Sequence, residues 1–283
     1  MSKIIPFAED LTLPAIGQGT WFMGENAELR QQEIAALQVG LEYGLTVIDT
    51  AEMYADGGAE QVVGEALQGR RDRAWLVSKF YPWNAGTVDA PEACERSLKR
   101  LKTDYLDLYL LHWRGNIPLE ETIRAMEKLQ QQGKIRRWGV SNFDSEDMQE
   151  LWQEPGGSSC AANQVLYHLA SRGIEFDLLP ACQQRQLPVM AYCPLAQAGR
   201  LRHDLMTHAG LNELARQQGL SVAQLLLAWV IRQPGVMAIP KASSISHVQE
   251  NAAVLNVTLD QETLQQIDVL FPPPQSKQPL DVV

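Results

Sequence analysis

The chain has few of the residues that would mark it as crosslinked, membrane-bound or nucleic-acid-binding. It has four cysteines in 283 residues. Cys94, Cys160, Cys182 and Cys193 form no C-x-x-C pair and have no ligand spacing to the five scattered histidines. That excludes a disulfide framework and points to free thiols in a reducing cytoplasm, with no bound metal expected. Positive charge is also scarce. The 24 Lys and Arg stand against 34 Asp and Glu, a net charge of −10. That sign repels phosphate backbones and anionic headgroups, so neither nucleic acid nor a membrane surface is expected as a partner. No apolar run approaches the ~20 residues of a membrane helix. The opening stretch MSKIIPFAEDLTLP has no signal-peptide character. Nucleotide-binding signatures are missing too. Gly17-Gln18-Gly19 is followed by its next glycine only at Gly24, too late for G-x-G-x-x-G, and the chain has no P-loop and no H-E-x-x-H.

What is present is a 45% apolar composition, enough for a substantial core. Residues 4–7 and 11–14 flank Ala8-Glu9-Asp10 and read as a β-hairpin ahead of the main fold. Eight strand-like runs follow, at 15–19, 45–49, 74–79, 106–112, 136–141, 161–165, 187–192 and 236–240. Helical patterns lie between them. Residues 119–131 carry Leu119, Ile123, Met126 and Leu129 at helical spacing, with Gly133 as a stop. Residues 90–101 and 144–152 also read as helices, Ser221 can cap an apolar helix at 222–231, and Asp260 can cap a last one ending at Leu270. This alternation predicts an α/β fold, a single (β/α)₈ TIM barrel. One domain would span 1–283, with the hairpin at 1–14 and a Pro-rich tail at 271–283 crossing the barrel surface. Residues 193–205 show no clear period and read as a long loop, either functional or a passive surface loop.

Three of the apolar runs end in residues capable of acid–base chemistry. Asp49 ends the first, with Tyr54 close behind; Lys79 ends the second; His112 ends the third. The spacing is ~30 residues each time, about one strand–helix–strand unit. Parallel strands would bring all four to one end of a barrel, where such barrels carry their chemistry. Taken singly, each has a plainer reading. Lys79 could be solvated or paired, Tyr54 could be a packed rim aromatic, and His112 could bond a backbone group. Taken together, an Asp49–Lys79 pair would hold an ammonium beside Tyr54, lower the phenol's pKa and make it a proton donor. Further along, Ser141, Asn142 and Gln164 can satisfy a carboxamide, and Tyr192 can stack a flat heterocycle. Lys241, Ser243 and Ser244 precede a helix and could form a phosphate site, or Ser244 could simply cap it.

These residues sit in blocks that resemble the aldo-keto reductase superfamily: IDTAEMYADGGAEQVVGEAL, LVSK, TDYLDLYLLHW, GKIRRWGVSNF, NQVLYH, YCPLA and AIPKASSISHVQEN, in that order. The resemblance runs from GQGTW to the last helix and, within the superfamily, is strongest to small bacterial methylglyoxal reductases. It implies NADPH-dependent reduction of small aldehydes and α-dicarbonyls, with Asp49, Tyr54, Lys79 and His112 as catalytic tetrad and Tyr54 as proton donor. It implies NADP(H) extended across the barrel mouth beside Thr20, Trp21 and Asp49. Ser141, Asn142 and Gln164 would hold the carboxamide, with Tyr192 stacked on the nicotinamide. Cys193, Leu195 and Ala196 would line the pyrophosphate path, and Lys241, Ser243, Ser244, His247, Glu250 and Asn251 the adenosine 2′-phosphate end. Trp21, Trp83 and Trp113 would wall a substrate pocket shared with Tyr54 and His112. Three positions depart from the family pattern: Cys193 and Ala242 stand where Ser is common, and His247 where Arg is common. The last two weaken the expected grip on a 2′-phosphate. A monomer is expected. Two other readings of the residues are a Schiff-base lyase using Lys79 and a nucleotide-sensing regulatory subunit.

Overall fold

The computed structural model describes residues 2–283. The first two strands, β1 (Ile4–Ala8) and β2 (Leu11–Pro14), form the expected antiparallel hairpin. Eight parallel strands follow: β3 (Gln18–Gly19), β4 (Val47–Asp49), β5 (Trp75–Phe80), β6 (Leu106–Leu111), β7 (Ile135–Ser141), β8 (Asn163–Leu166), β9 (Val189–Tyr192) and β10 (Val236–Ala238). They pair in chain order, and bridges Ile16↔Ala238 and Gly19↔Lys241 join the first to the last, closing the TIM barrel. The eleven α-helices among the described residues are α1 (Arg30–Glu42), α2 (Gly58–Ala66), α3 (Asp89–Leu101), α4 (Leu119–Gln131), α5 (Ser145–Gln153), α6 (Leu178–Gln184), α7 (Arg200–Thr207), α8 (Ala209–Gln217), α9 (Val222–Val230), α10 (Ile245–Ala253) and α11 (Gln261–Leu270).

The strands are covered on both faces, as a parallel sheet requires. Every residue of β5 is buried. On α4 the expected stripe of Leu119, Ile123, Met126 and Leu129 is buried, and the left-handed Gly133 follows the helix. Asp144 and Ser221 each close a capping box, at α5 and α9, and Asp260 accepts from the Thr263 amide at α11. The first barrel strand is shorter than the expected 15–19. Its glycine runs against the closing seam, where a Cβ on Gly19 would stand 2.6 Å from the Ile239 carbonyl oxygen. Only glycine allows that approach.

One expectation needs correction. Residues 193–205 are not one long loop, because α7 begins at Arg200. Its only buried residue is Leu205, so it has no apolar face to reveal it. The tail after Leu270 has no regular structure and is mostly exposed, as a path over the surface requires, and it is fastened there. Arg172 donates to the Phe271 carbonyl, Lys277 donates to Glu146 at 2.7 Å, and Ser171 donates to Asp281 at 2.5 Å.

Candidate active site

Strand register explains how the four chemistry-bearing residues meet. Asp49 pairs with Val77, and Lys79 pairs with Leu110. Side chains of a strand alternate with period two, and partners in a parallel pair share a face. Lys79 therefore shares the face of Val77 and Asp49, and His112 shares the face of Leu110 and Lys79. All three project to the barrel interior at its C-terminal end. Tyr54 joins them from a strained turn. Ala55, Asp56 and Gly57, directly after it, are all left-handed, with φ of 51°, 51° and 83°. Two of the three are not glycine, a backbone cost typical of functional turns.

Lys79 is fully buried, and its Nζ donates three hydrogen bonds: to Asp49 Oδ2 at 2.7 Å, to the Thr50 carbonyl at 2.9 Å and to the Tyr54 hydroxyl at 3.0 Å. Three acceptors match the three protons of an ammonium. Burial lowers the Lys79 pKa, and the Asp49 carboxylate opposes that shift. Asp49 Oδ1 accepts from the Gln164 amide at 2.8 Å, and the Thr20 hydroxyl donates to the Asp49 carbonyl at 2.9 Å. Every atom that could move the ammonium is tied down. The Tyr54 hydroxyl accepts from Lys79, so its own proton is free to point elsewhere.

The Tyr54 pKa moves opposite to the expectation. Burial raises it well above the usual phenol value, and the Asp49 charge adds to the rise. The expected lowering counted the ammonium of the Asp49–Lys79 pair but neither the burial of the phenol nor the direct effect of the Asp49 charge on it. The pair forms as expected, but Tyr54 is buried with it, and desolvation outweighs the ammonium's pull. The phenol is held protonated. His112 moves the other way: burial and the Lys79 charge push its pKa well below the usual imidazole value. The ring is neutral, and its Nδ1 is buried without a hydrogen-bond partner. The Tyr54 and His112 rings meet edge to face, with centroids 5.9 Å apart.

A cavity of about 270 Å³ opens over this network. Asp49, Tyr54 and His112 line it, with Trp21 and Trp113 on its walls. Ser141, Asn142, Gln164 and Tyr192 line it further round, followed by Cys193, Leu195, Ala196 and Lys241. The Tyr192 hydroxyl donates to Asn142 Oδ1 at 2.8 Å, and Asn142 Nδ2 donates to the His112 carbonyl at 3.1 Å. The Ser141 hydroxyl donates to the Gln164 carbonyl. Burial pushes the Cys193 thiol up to about 11, against the pull of Arg202.

Trp83 stands outside the cavity. It is 61% exposed, stacks on Tyr81 at 4.3 Å and meets Trp113 edge-on. Glu52 holds this turn outward by accepting from the Tyr81 amide and the Asn84 side chain. Ser243, Ser244, His247, Glu250 and Asn251 also lie beyond the cavity lining, at and along α10. There Ser244 caps the helix through the His247 amide, and Lys241 Nζ donates to the Ser243 hydroxyl at 3.1 Å.

Phe22, Met53, Arg202 and Val283 line the cavity and were not expected there. Phe22 stacks on Trp21 at 4.6 Å from a left-handed backbone that the sequence does not announce. Arg202 arrives on the unforeseen α7. Val283 arrives through the fastened tail. The aromatic spacing around Trp21 is the one signal that could have flagged Phe22.

A barrel whose mouth presents a buried Asp–Lys–Tyr network beside a neutral His defines a class of carbonyl-handling oxidoreductases. Residues 15–271 match the Aldo/keto reductase family, and the chain belongs to it. It is 66% identical to methylglyoxal reductase YeaE of Escherichia coli, over 99% of each chain. It is 34% identical to glyoxal reductase of Bacillus subtilis, over 91% of this chain and 89% of that one. Among solved structures, an aldo-keto reductase from Klebsiella pneumoniae in complex with NADPH superposes with a TM-score of 0.98 at 66% identity, covering both chains fully.

Proposed function

We propose that this protein reduces small aldehydes and α-dicarbonyls, methylglyoxal among them, to alcohols with NADPH. The observation that carries this reading is the Tyr54 hydroxyl on the cavity wall, 3.0 Å from the Lys79 ammonium and beside a neutral His112. The residues present fit the dinucleotide. Tyr192 offers a partly buried ring beside polar Ser141, Asn142 and Gln164. Lys241 is exposed and makes no ion pair among the described residues; its bond goes to Ser243. In this reading Lys241, Ser243, Ser244, His247, Glu250 and Asn251 hold the 2′-phosphate end, and Cys193, Leu195 and Ala196 flank the pyrophosphate.

Bound NADPH would supply the hydride. The chain's own residues do the rest. Trp21 and Trp113 hold a compact carbonyl against Tyr54. The neutral His112 orients the carbonyl oxygen by donating a ring N–H. Tyr54 donates its proton to that oxygen as negative charge develops there. The Lys79 ammonium then stabilises the phenolate left behind, and Asp49 keeps the ammonium in place. Lys79 itself has no access to substrate: it is fully buried and does not line the cavity. That counts against a Schiff-base reaction.

One continuous core supports a single domain over 1–283. No helix among the described residues is long and apolar enough to cross a membrane. The net charge of −10 supports work on small molecules and not on nucleic acid; a monomer in the cytoplasm is part of the same proposal. The test is a carbonyl panel assayed by NADPH oxidation, with NADH in parallel. Methylglyoxal should exceed a steroid ketone in kcat/KM by ~100-fold or more, the scale a tight pocket imposes. Equal values would refute the compact-pocket reading, and no turnover of any carbonyl would refute the reductase reading.

A further inference from the structure

The segment after Leu270 brings Val283 to the lining of the cavity, far from the helix it follows. Its fastening is specific. Ser171 and Arg172, adjacent in the chain, grip it at both ends: Arg172 takes Asp268 at 2.8 Å and the Phe271 carbonyl, and Ser171 takes Asp281 at 2.5 Å. Reciprocal backbone bonds between His168 and Ser171 stiffen this clasp. Between the grips, Leu280 packs on the core. Val283 then lines the same cavity as Tyr54, His112 and Tyr192. From there the contacts continue. The Tyr192 hydroxyl donates to Asn142, and Asn142 donates to the His112 carbonyl. Asn142 is itself left-handed, with φ of 57°, so its side chain is aimed by a constrained backbone. Val283 is 54% exposed, so burial of its side chain gives little reason for its position.

We infer that this tail is a positioning strap for the reaction: Asp281, held by Ser171, sets Val283 against Tyr192 and so orients the Tyr192 hydroxyl and the Asn142 side chain that buttresses His112. Asp281 and Ser171 touch neither substrate nor cofactor; they are positioning residues. The inference rests on reading the cavity as the carbonyl and nicotinamide site.

The test is a double-mutant cycle in the full chain, with Asp281→Ala, Ser171→Ala and Tyr192→Phe. The readouts are kcat and KM for methylglyoxal and the NADPH dissociation constant from protein fluorescence. Asp281→Ala and Ser171→Ala should each lower kcat/KM ~10-fold, a modest share of what misplacement by an ångström costs. Asp281→Asn keeps an acceptor for Ser171 and should recover most of the loss. In the Tyr192→Phe background, Asp281→Ala should cost less than ~2-fold, because both changes act through one hydroxyl. A full 10-fold loss in that background, or wild-type activity for Asp281→Ala, would overturn the strap. If the wild-type chain binds NADPH but reduces no carbonyl, the reaction assigned to the site fails. The same cycle read on NADPH affinity then decides the strap: non-additive changes support it, and additive or absent changes overturn it.

Discussion

At the ends of β4, β5 and β6 the polar side chains of the network are buried, and Asp49 and Lys79 are fully committed. Lys79 has three acceptors, and both Asp49 oxygens are taken. At the ends of β9 and β10 the mouth is open. Lys241, His247 and Glu250 are exposed, Arg202 is exposed on α7, and the connection from Cys193 runs through left-handed Cys193, Ala196 and Gly199. The two sides carry different demands. Proton transfer needs groups fixed within a fraction of an ångström, which burial and saturated hydrogen bonding provide. Holding a large charged ligand needs reachable cations and a path for entry, which exposure provides.

The contrast can be broken by mutation, and the effects should scale with it. On the buried side, Lys79→Met removes the ammonium and leaves Asp49 buried without its partner. It should lower kcat ~10³-fold, within the range of lost acid–base and electrostatic catalysis, and should also lower the melting temperature. A thermal melt beside steady-state kinetics checks both. An unchanged melting point would show that the pair is less buried in solution than described.

The second prediction concerns acid. His168 is buried, and its pKa is lowered to about 4, chiefly by burial. The unfolded chain binds that proton near the ordinary value of ~6.5. Between those values the unfolded state holds more protons, so stability falls as pH drops through this window and the loss levels off below about 4. His112, shifted in the same direction, adds to the loss. His168→Asn can still accept from the Ala170 amide and should remove His168's share, ~2 kcal/mol at pH 5. Denaturant titrations at pH 7.5 and pH 5 measure it. A wild-type protein equally stable at both pH values would contradict the burial of these rings.

On the open side effects should be smaller and confined to binding. Lys241→Met should weaken NADPH ~10-fold, the scale of one charge-assisted contact, and leave NADH nearly unchanged. His247→Arg should strengthen NADPH ~3-fold through the fork geometry that His lacks. Titration of both cofactors against both variants separates these effects. Equal weakening of NADH and NADPH by Lys241→Met would remove the 2′-phosphate from that position.

The same contrast governs what could be read before the fold was seen. The buried side was legible because apolar strands run directly into Asp49, Lys79 and His112, and the strand–helix period is regular. The α4 stripe and the caps at Asp144, Ser221 and Asp260 were legible because they are local. The direction of the Tyr54 shift was not, because it depends on a charge balance among three strands. Nor was α7, whose RLRHDLMT has a single buried residue. Val283 reaches the cavity on a tail held by distant residues, among them Ser171, 110 residues before Asp281, and Arg172, 99 before Phe271. Trp83, expected as a pocket wall, is turned outward by Glu52, a residue with no signal of that role.

The central claim is that Tyr54 gives its proton to the substrate oxygen. Tyr54→Phe keeps the ring and removes only the hydroxyl. Single-turnover reduction of methylglyoxal by pre-bound NADPH, followed at the nicotinamide absorbance, should slow by ~10²-fold or more, while NADPH affinity should stay within about twofold, because the proposed affinity contacts are those of the open side. Reduction at near wild-type rate would contradict the mechanism.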